Sequence, residues 1–261
     1  MKAFLKRRVE LTVRGIKSIY WLLLNIGYRL NFFSVSRIPI FINNFNRLAY
    51  PLQLIRFLEQ CGFEKIIIID NKSTYPPLLE YYRGCPHKVI QLDHNYGHLA
   101  FWKSELYSKF KWDYFVYSDP DVLPVEECPK DFMVRLKSVL DKNSHLDKIG
   151  FGIKIDDLPA TFRLKEKVIA YEKRYWQKEV QPGIYDAPID TTFALYKPLS
   201  NLKNGEVYTL NAYRLSHPYM IRHLSWYVDS SNLSEEDNYY ARTSNASSSL
   251  VNQESGQQII Y

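Results

Sequence analysis

The chain has 261 residues, 46% of them hydrophobic, which suits one large domain with appendages and is ample for a sizeable core. Its formal net charge is +6, but the positive charge is concentrated at the amino terminus rather than along a groove, and no RNA- or DNA-binding motif occurs. Nucleic acid is therefore not an expected partner. Three cysteines at no metal-ligand spacing fit neither a zinc site nor a disulfide framework, and they predict reduced thiols in a cytoplasmic protein.

The amino-terminal segment, residues 1–34, is basic and amphipathic. Residues 1–30 contain seven Lys or Arg side chains and one acid, Glu10, interleaved with apolar residues. The uninterrupted apolar run from Ile19 to Leu24 is far shorter than the ~20 residues of a membrane span, and no signal-peptide cleavage site follows it. We expect a helix that lies on the anionic inner face of the cell membrane. The alternative is a helix packed on the domain's own core.

Strand and helix patterns alternate after this segment. Strands are predicted at 38–42, 66–69, 88–92 and 114–117, and helices at about 51–61, 76–82 and 99–110. The second strand is a run of four isoleucines, apolar on both faces, as a central parallel strand should be. The alternation predicts right-handed βαβ units and a mainly parallel central sheet flanked by helices.

The second half of the chain is less regular. A helix is predicted at 131–141, strands at 149–155 and 191–196, and a helical segment at 166–176. From about residue 230 the sequence is polar and ends rich in Ser, Asn and Gln, which indicates a tail rather than a packed element.

Asp119-Pro120-Asp121 follows the fourth predicted strand directly. The proline disfavours helix at Asp119, and in an extended tripeptide both carboxylates point the same way. Two facing acids repel each other unless a divalent cation lies between them. The alternative is a plain Ser-Asp-Pro-Asp turn.

Polar residues also follow each of the other three strands, and in a parallel sheet these loops meet at one edge, where ligands bind. The residues concerned are Asn43, Asn44 and Arg47 after the first strand, Asp70 and Asn71 after the second, and Asn95, Gly97 and His98 after the third. Turn chemistry explains any one of these loops, but four together indicate a nucleotide site.

In this order, the features resemble a GT-A-fold glycosyltransferase, closest to the family 2-like enzymes that build bacterial surface glycans. The resemblance covers residues 37–228 and rests on the segments 40–47, 69–74, 95–98 and 119–121. It implies a glycosyltransferase domain at 35–230, with a nucleotide-binding half at 35–125 and an acceptor-binding half at 126–230, followed by the polar tail at 231–261. The sequence departs from the family pattern in two places. Segment 99–103 lacks the usual small–Ala-Arg-Asn run, and no plain Glu-Asp base motif occurs.

The resemblance implies a metal-dependent hexosyl transfer from a nucleotide-diphosphate sugar, with UDP the expected carrier, to a glycan or lipid-linked glycan. An inverting transfer is the first choice and a retaining one is the alternative, because both kinds of GT-A enzyme share the donor half. Mn²⁺ or Mg²⁺ is expected on Asp119 and Asp121, with a distant histidine, His223, completing the set; the alternative for His223 is packing on Trp226. Donor contacts are expected from Asn43, Asn44, Arg47, Asp70, Asn71, Asn95, Gly97, His98, Asp119 and Arg222.

The acceptor half is expected to supply the catalytic base, which deprotonates the attacking hydroxyl. Asp190 is the first choice because it precedes a predicted strand there; Asp186, Glu235 and Glu236 are the reserves. Trp176, Tyr185, Trp226 and Tyr227 are candidates for stacking on acceptor sugars, although core packing explains them equally well.

Two alternatives remain open at the level of sequence. A nucleotidyltransferase that activates a sugar phosphate usually carries a glycine-rich loop after its first strand, and segment 43–46 has no glycine. A non-catalytic nucleotide-sugar-binding module differs from an enzyme only in turnover. A dehydrogenase is disfavoured, because no Gly-x-Gly-x-x-Gly motif follows the first strand.

Overall fold

The computed structural model describes residues 2–30, 32–202 and 205–244; in the first helix, side chains are described at residue 12 and from residue 15 onward. The helices are α1 (Lys2–Arg29), α2 (Ala49–Gln60), α3 (Pro76–Arg83), α4 (Ala100–Lys103), α5 (Leu106–Phe110), α6 (Phe132–Lys142), α7 (Lys165–Glu172) and α8 (Glu235–Thr243). The strands are β1 (Ile40–Asn44), β2 (Ile66–Asp70), β3 (Lys88–Gln91), β4 (Phe115–Ser118), β5 (Val122–Pro124), β6 (Lys148–Ile153), β7 (Glu179–Gln181), β8 (Ile184–Asp186), β9 (Ala194–Tyr196) and β10 (Ala212–His223). The predicted α/β fold and the amino-terminal helix are confirmed.

The strands form one ten-stranded sheet in the order β3-β2-β1-β4-β9-β6-β10-β8-β7, with β5 paired to β10. Strands β3, β2, β1 and β4 are mutually parallel, as the βαβ pattern predicts. Strand β9 runs antiparallel between β4 and β6, and β6 is parallel to β10. The carboxyl ends of β1 to β4 therefore share an edge with the amino-terminal end of β9.

Both faces of the parallel strands are buried. Ile40 and Ile42 belong to a large core that also contains residues of α2 and α6. Phe41, between them, points to the opposite face, where it packs with Phe101 of α4. This alternation is the two-residue period of a strand with helices on each side.

The helix α1 packs on the domain through one face. Trp21 Nε1 donates a hydrogen bond of 2.8 Å to the Tyr114 hydroxyl. Asn25 is buried, and its Oδ1 accepts hydrogen bonds from the Tyr114 hydroxyl at 3.1 Å and from Lys137 Nζ at 2.6 Å. On this face, α1 therefore packs on the domain's own core, which was the alternative prediction for the segment.

The opposite face of α1 carries an apolar stripe that the described residues leave exposed. The stripe consists of Ile16, Ile19, Leu23, Ile26 and Leu30, each 43–62% exposed. Leu22, Phe32 and Phe33 extend the exposed apolar surface. The side chains of Lys2, Lys6, Arg7, Arg8 and Arg14, on which the predicted positive charge depends, lie outside the described residues. No helix in the described ranges is both long and apolar enough for a membrane span.

Two segments differ from the predictions. The helix predicted at 99–110 is divided into α4 and α5, because Ser104 between them adopts an extended backbone. The predicted polar tail begins with an ordered helix, α8, whose amino-terminal cap is Ser234 and whose first turn carries three acids. These acids stabilise the helix end, a local signal that overall polarity conceals. Residues 245–261 of the predicted tail lie outside the described residues.

Candidate active site

Three aspartates meet where β4 ends and β9 begins. Asp119 follows β4, Asp121 precedes β5, and Asp190 lies shortly before β9. The Asp119 backbone N–H donates to the Thr191 carbonyl at 3.0 Å, and Thr191 Oγ1 donates to Asp119 Oδ2 at 2.9 Å. The antiparallel pairing of β4 with β9 thus brings Asp190 beside the acid pair, although 68 residues lie between Asp121 and Asp190 in the sequence.

The acid pair lies in a turn rather than in the extended conformation predicted for it. Pro120 and Asp121 form the turn, because the chain must redirect from β4 into β5, which pairs with β10. Asp121 Oδ2 accepts a short hydrogen bond from the Ser225 hydroxyl, and the Asp121 carbonyl accepts one from the Leu224 N–H at 2.6 Å. Turn and site are therefore not exclusive alternatives, since the turn places two partly buried acids at the edge where the parallel strands end.

The environments of Asp119 and Asp190 push their pKa values in opposite directions. Burial raises the pKa of Asp119 well above its ordinary value, and the charges of Asp190 and Asp121 raise it further. Burial also opposes ionisation of Asp190, but the Arg214 guanidinium and the Thr192 N–H, 2.9 Å from Asp190 Oδ1, hold its pKa below the ordinary value. Such a separation of two neighbouring acids is what acid–base chemistry requires. Asp190 is the ionised member.

His223 ends β10 next to Asp121. Its Nδ1 lies 3.5 Å from Asp121 Oδ2 and is buried without a hydrogen-bond partner. Its ring also stacks on Trp226, with centroids 4.6 Å apart and an interplanar angle of 9°. Packing of His223 on Trp226 does not exclude a role as a metal ligand. The stacking fixes the ring and leaves Nδ1 next to the Asp121 carboxylate.

Arg222 does not join this group. Its Nη1 donates to Glu126 Oε2 at 2.8 Å, and its Nη2 donates to Asp157 Oδ2 at 2.9 Å. The prediction that Arg222 and His223 act together overlooked that consecutive residues of a strand point to opposite faces.

The residues at this point fit a divalent cation only in part. Among the described residues, no group of three or more His, Cys, Asp or Glu side chains is arranged to hold a metal ion. Asp121 and His223 nevertheless supply a carboxylate oxygen and an unpaired imidazole nitrogen on one side, and Asp119 lies close enough for its titration to respond to Asp121. Oxygen and imidazole nitrogen are donors that Mn²⁺ accepts. Asp121 and His223 are the residues that would hold the ion.

The loops after β1, β2 and β3 meet in one hydrogen-bond network. Asn71 Nδ2 donates to Asn43 Oδ1 at 3.1 Å and to the Gly97 carbonyl at 2.8 Å. Asn71 Oδ1 accepts from the Tyr96 N–H at 2.9 Å, and Asn95 Oδ1 accepts from the Gly97 N–H at 2.8 Å. Gly97 has φ +73°, which glycine adopts without strain. The structure thus brings these predicted residues together.

Asp70 and Asn44 lie buried beneath the loops that follow β1 and β2. Asp70 Oδ2 accepts from the Ser73 N–H at 3.2 Å, and its Oδ1 accepts from the Tyr82 hydroxyl at 3.3 Å. Asn44 Nδ2 donates to the same hydroxyl at 3.0 Å and to the Arg47 carbonyl at 2.8 Å. Burial raises the pKa of Asp70. Asp70 and Asn44 are almost fully buried, so in this arrangement they support the loops rather than present side chains to a ligand.

His98 follows β3 and is exposed to solvent on one side, while neighbouring atoms desolvate part of its ring. Burial of the ring and the charge of Lys103 lower the pKa of His98, and the charge of Asp190 opposes them. The Tyr117 hydroxyl anchors the loop by donating to the His98 carbonyl at 2.6 Å. The charge of Asp190 therefore reaches the His98 ring.

Two buried cations, Lys148 and Arg214, hold the segment that carries Asp190, and sequence analysis did not identify either. Lys148 Nζ donates to the Ile189 carbonyl at 2.5 Å and to the Asp190 carbonyl at 3.1 Å. Arg214 Nε donates to the Pro188 carbonyl at 2.8 Å. The backbone carbonyls of Pro188, Ile189 and Asp190 therefore each accept a hydrogen bond from a buried side chain. Burial lowers the pKa of Lys148 to about 7.

The remaining candidates take positions outside the acid cluster. Asp186 pairs with Lys178 at the surface, and Glu236 lies on α8 against the start of α2. Trp176 and Tyr185 contact each other edge to face, with centroids 5.1 Å apart. Tyr227 is tied to Asp157, Trp226 is buried under His223, and Glu235 is exposed on α8.

The chain was compared with family models, curated sequences and solved structures. No family model and no curated protein sequence matches the chain. A crystal structure of GalNAc-T7 with UDP, GalNAc and Mn²⁺ aligns with 78% of this chain and 47% of its own, at 13% sequence identity and a TM-score of 0.45. The chain thus spans about half the length of that protein. At this TM-score the likeness carries no weight for function, which depends on the geometry above.

Proposed function

We propose that this chain is a metal-dependent GT-A-type glycosyltransferase that transfers a sugar from a nucleotide-diphosphate donor, a UDP-sugar, to a glycan or lipid-linked glycan. The observation that carries the proposal is the convergence of Asp119, Asp121, Asp190 and His223 at the edge where the loops after β1, β2 and β3 also meet. The metal ligands and the ionised base then lie next to the loops after β1, β2 and β3, which we call the donor platform. An inverting transfer requires these three parts to be neighbours.

In this proposal each side chain has a separate task. The acceptor hydroxyl attacks the anomeric carbon, its proton passes to the Asp190 carboxylate, and the bond from that carbon to the diphosphate oxygen breaks. A divalent cation, when bound, supplies Lewis-acid stabilisation of the leaving diphosphate. Asp121 and His223 hold the cation, and the loop containing Asn95 and His98 borders the donor. Arg222 is omitted because carboxylates already occupy its guanidinium.

The first test is calorimetric titration of UDP into the purified protein with Mn²⁺ and again with EDTA. We expect binding that depends on the metal and falls at least ~10-fold in Asp121→Asn, because the amide keeps the size of the side chain but is a poor metal ligand. Asp157→Asn is the matched control, since Asp157 lies in the Arg222 ion pairs. Equal affinity for UDP in the two solutions, or equal losses in the two variants, would contradict the assigned metal site.

We further propose that α1 docks the protein on the inner, anionic face of the cell membrane. Its apolar stripe faces away from the side that packs on Tyr114, and exposed Phe32 and Phe33 continue it. The excess of basic residues in segment 1–30 favours an anionic lipid surface over a second copy of the same positively charged helix.

Vesicle co-sedimentation tests this location. Leu23→Glu should lower binding to vesicles containing phosphatidylserine by about tenfold or more, because burying one leucine side chain is worth about 1.5–3 kcal/mol. Val134→Glu is the control, since Val134 is 50% exposed on α6, away from the stripe. If Leu23→Glu leaves vesicle binding intact but changes the sedimentation velocity of the free protein, the stripe joins two copies instead.

A further inference from the structure

Helix α8 presents two consecutive acids to the loop that follows β1. The Glu236 carboxylate accepts from the backbone N–H of Ala49, the first residue of α2, with its two oxygens 3.2 and 3.0 Å away. Asp237 Oδ1 accepts from Arg47 Nη1 at 2.5 Å. One helix thus supplies a carboxylate to each of two neighbouring positive groups.

Both of these groups recognise phosphate in proteins. The amino-terminal end of a helix carries a positive partial charge and unpaired N–H groups, and α2 has no side-chain cap of its own at Leu48. A guanidinium has a fork of donors that matches phosphate oxygens. Arg47 lies two residues before Ala49, and consecutive residues of α8 bind the two groups.

The guanidinium of Arg47 is not satisfied by α8. Arg47 is only 1% exposed, and its Nη2 is buried without a hydrogen-bond partner. The group lies over the Tyr240 ring, 4.0 Å from its centroid, and 5.0 Å from that of Tyr50. A buried charge with an unmade hydrogen bond is costly. Asp237 therefore pairs with Nη1 and leaves Nη2 without an acceptor, whereas a phosphate could accept from both nitrogens.

Further contacts make α8 a cover over this loop. The Tyr239 hydroxyl donates to the Thr74 carbonyl at 3.0 Å, and Asn46 Nδ2 donates to Thr243 Oγ1 at 2.9 Å. Because Arg47 is almost completely buried, an external ligand reaches its guanidinium only if α8 moves.

We propose that the Ala49 N–H and the Arg47 guanidinium form a phosphate-binding site that Glu236 and Asp237 of α8 occupy in the closed state. A phosphate-bearing ligand then competes with α8 for the same groups. The site itself does not depend on the proposed transferase; only the identification of its phosphate as part of a nucleotide-diphosphate donor rests on that function.

Titration of inorganic pyrophosphate in EDTA tests the competition without the metal site. Glu236→Gln/Asp237→Asn keeps acceptor oxygens against Ala49 and Arg47 but removes both charges, so pyrophosphate should bind about tenfold more tightly than to the wild-type protein, since the closed state no longer competes as strongly. Adding Arg47→Lys should abolish the gain, and Glu235→Gln, an exposed neighbour on the same helix, should show none.

Unchanged or weaker pyrophosphate binding in the amide variant, or no binding to either protein, overturns the proposal; weaker binding would assign α8 a supporting role at the site. Hydrogen exchange gives a second measurement. It uses the wild-type protein and therefore does not depend on whether a variant folds. Saturating pyrophosphate should accelerate exchange of the amides at 237–243, and unchanged or slower exchange overturns the competition. Metal-dependent UDP binding reports separately on the proposed transferase, so the two can fail independently.

Discussion

Replacing Asp190 by Asn should lower turnover about 10³-fold while leaving UDP affinity at the wild-type value. General-base catalysis contributes about 10²–10⁴-fold, and Asn cannot take the proton of the attacking hydroxyl. Donor binding should survive because the side chain of Asp190 is fixed by Thr192, and its backbone by Lys148, whereas the donor platform lies on other loops. The measurement is UDP release from whichever UDP-sugar the wild-type protein consumes.

The control for this prediction is Asp186→Asn. Asp186 lies in the same segment but pairs with Lys178 at the surface, so its replacement should leave turnover near the wild-type rate. A large loss in Asp186→Asn together with normal turnover in Asp190→Asn would move the base to Asp186 and refute the present assignment. Loss of UDP binding in Asp190→Asn would instead place Asp190 among the donor or metal contacts.

The parallel half of the fold was predictable because its signals are local. The isoleucine run of β2 is apolar on both faces, and Gly62, with φ +80°, follows α2 where a helix terminator is expected. The edge that carries Asn43, Asn71 and Gly97 followed from strand direction alone. Asp190 was also predicted as the base, although its approach to Asp119 depends on the pairing of β9 with β4, which joins distant parts of the chain.

The missed features depend on contacts between distant segments. Lys148 begins β6 and, in sequence, is indistinguishable from a solvated lysine; only the fold places it under the carbonyls of Ile189 and Asp190. α8 lies in a polar segment whose mean composition indicates a tail, and its packing on Arg47 spans 190 residues. Arg222 lies in ion pairs with Glu126 and Asp157 rather than beside His223, because strand alternation separates the two side chains.

The largest stability loss is expected from Arg214→Met. Arg214 is 1% exposed and donates to Glu172 Oε2 at 2.7 Å as well as to the Pro188 carbonyl. Its removal leaves a buried carboxylate without its partner, which typically costs about 3–5 kcal/mol of unfolding free energy. Urea unfolding followed by circular dichroism measures the loss. Arg222→Met on the same strand is the control, since its partly exposed ion pairs should contribute about 0–1 kcal/mol.

The double variant Arg214→Met/Glu172→Met separates charge pairing from the hold on the Asp190 segment. Apolar replacement of both partners of a buried pair is often neutral, so stability should return toward the wild-type value. Pro188 still lacks its donor, and Lys148 is then the one buried side chain of this pair that still holds the backbone at 189–190. Turnover should therefore stay low in a stable protein. Recovery of both stability and turnover would show that Arg214 serves only the fold, whereas recovery of stability alone assigns it to the base, whose backbone it holds and whose carboxylate it keeps ionised.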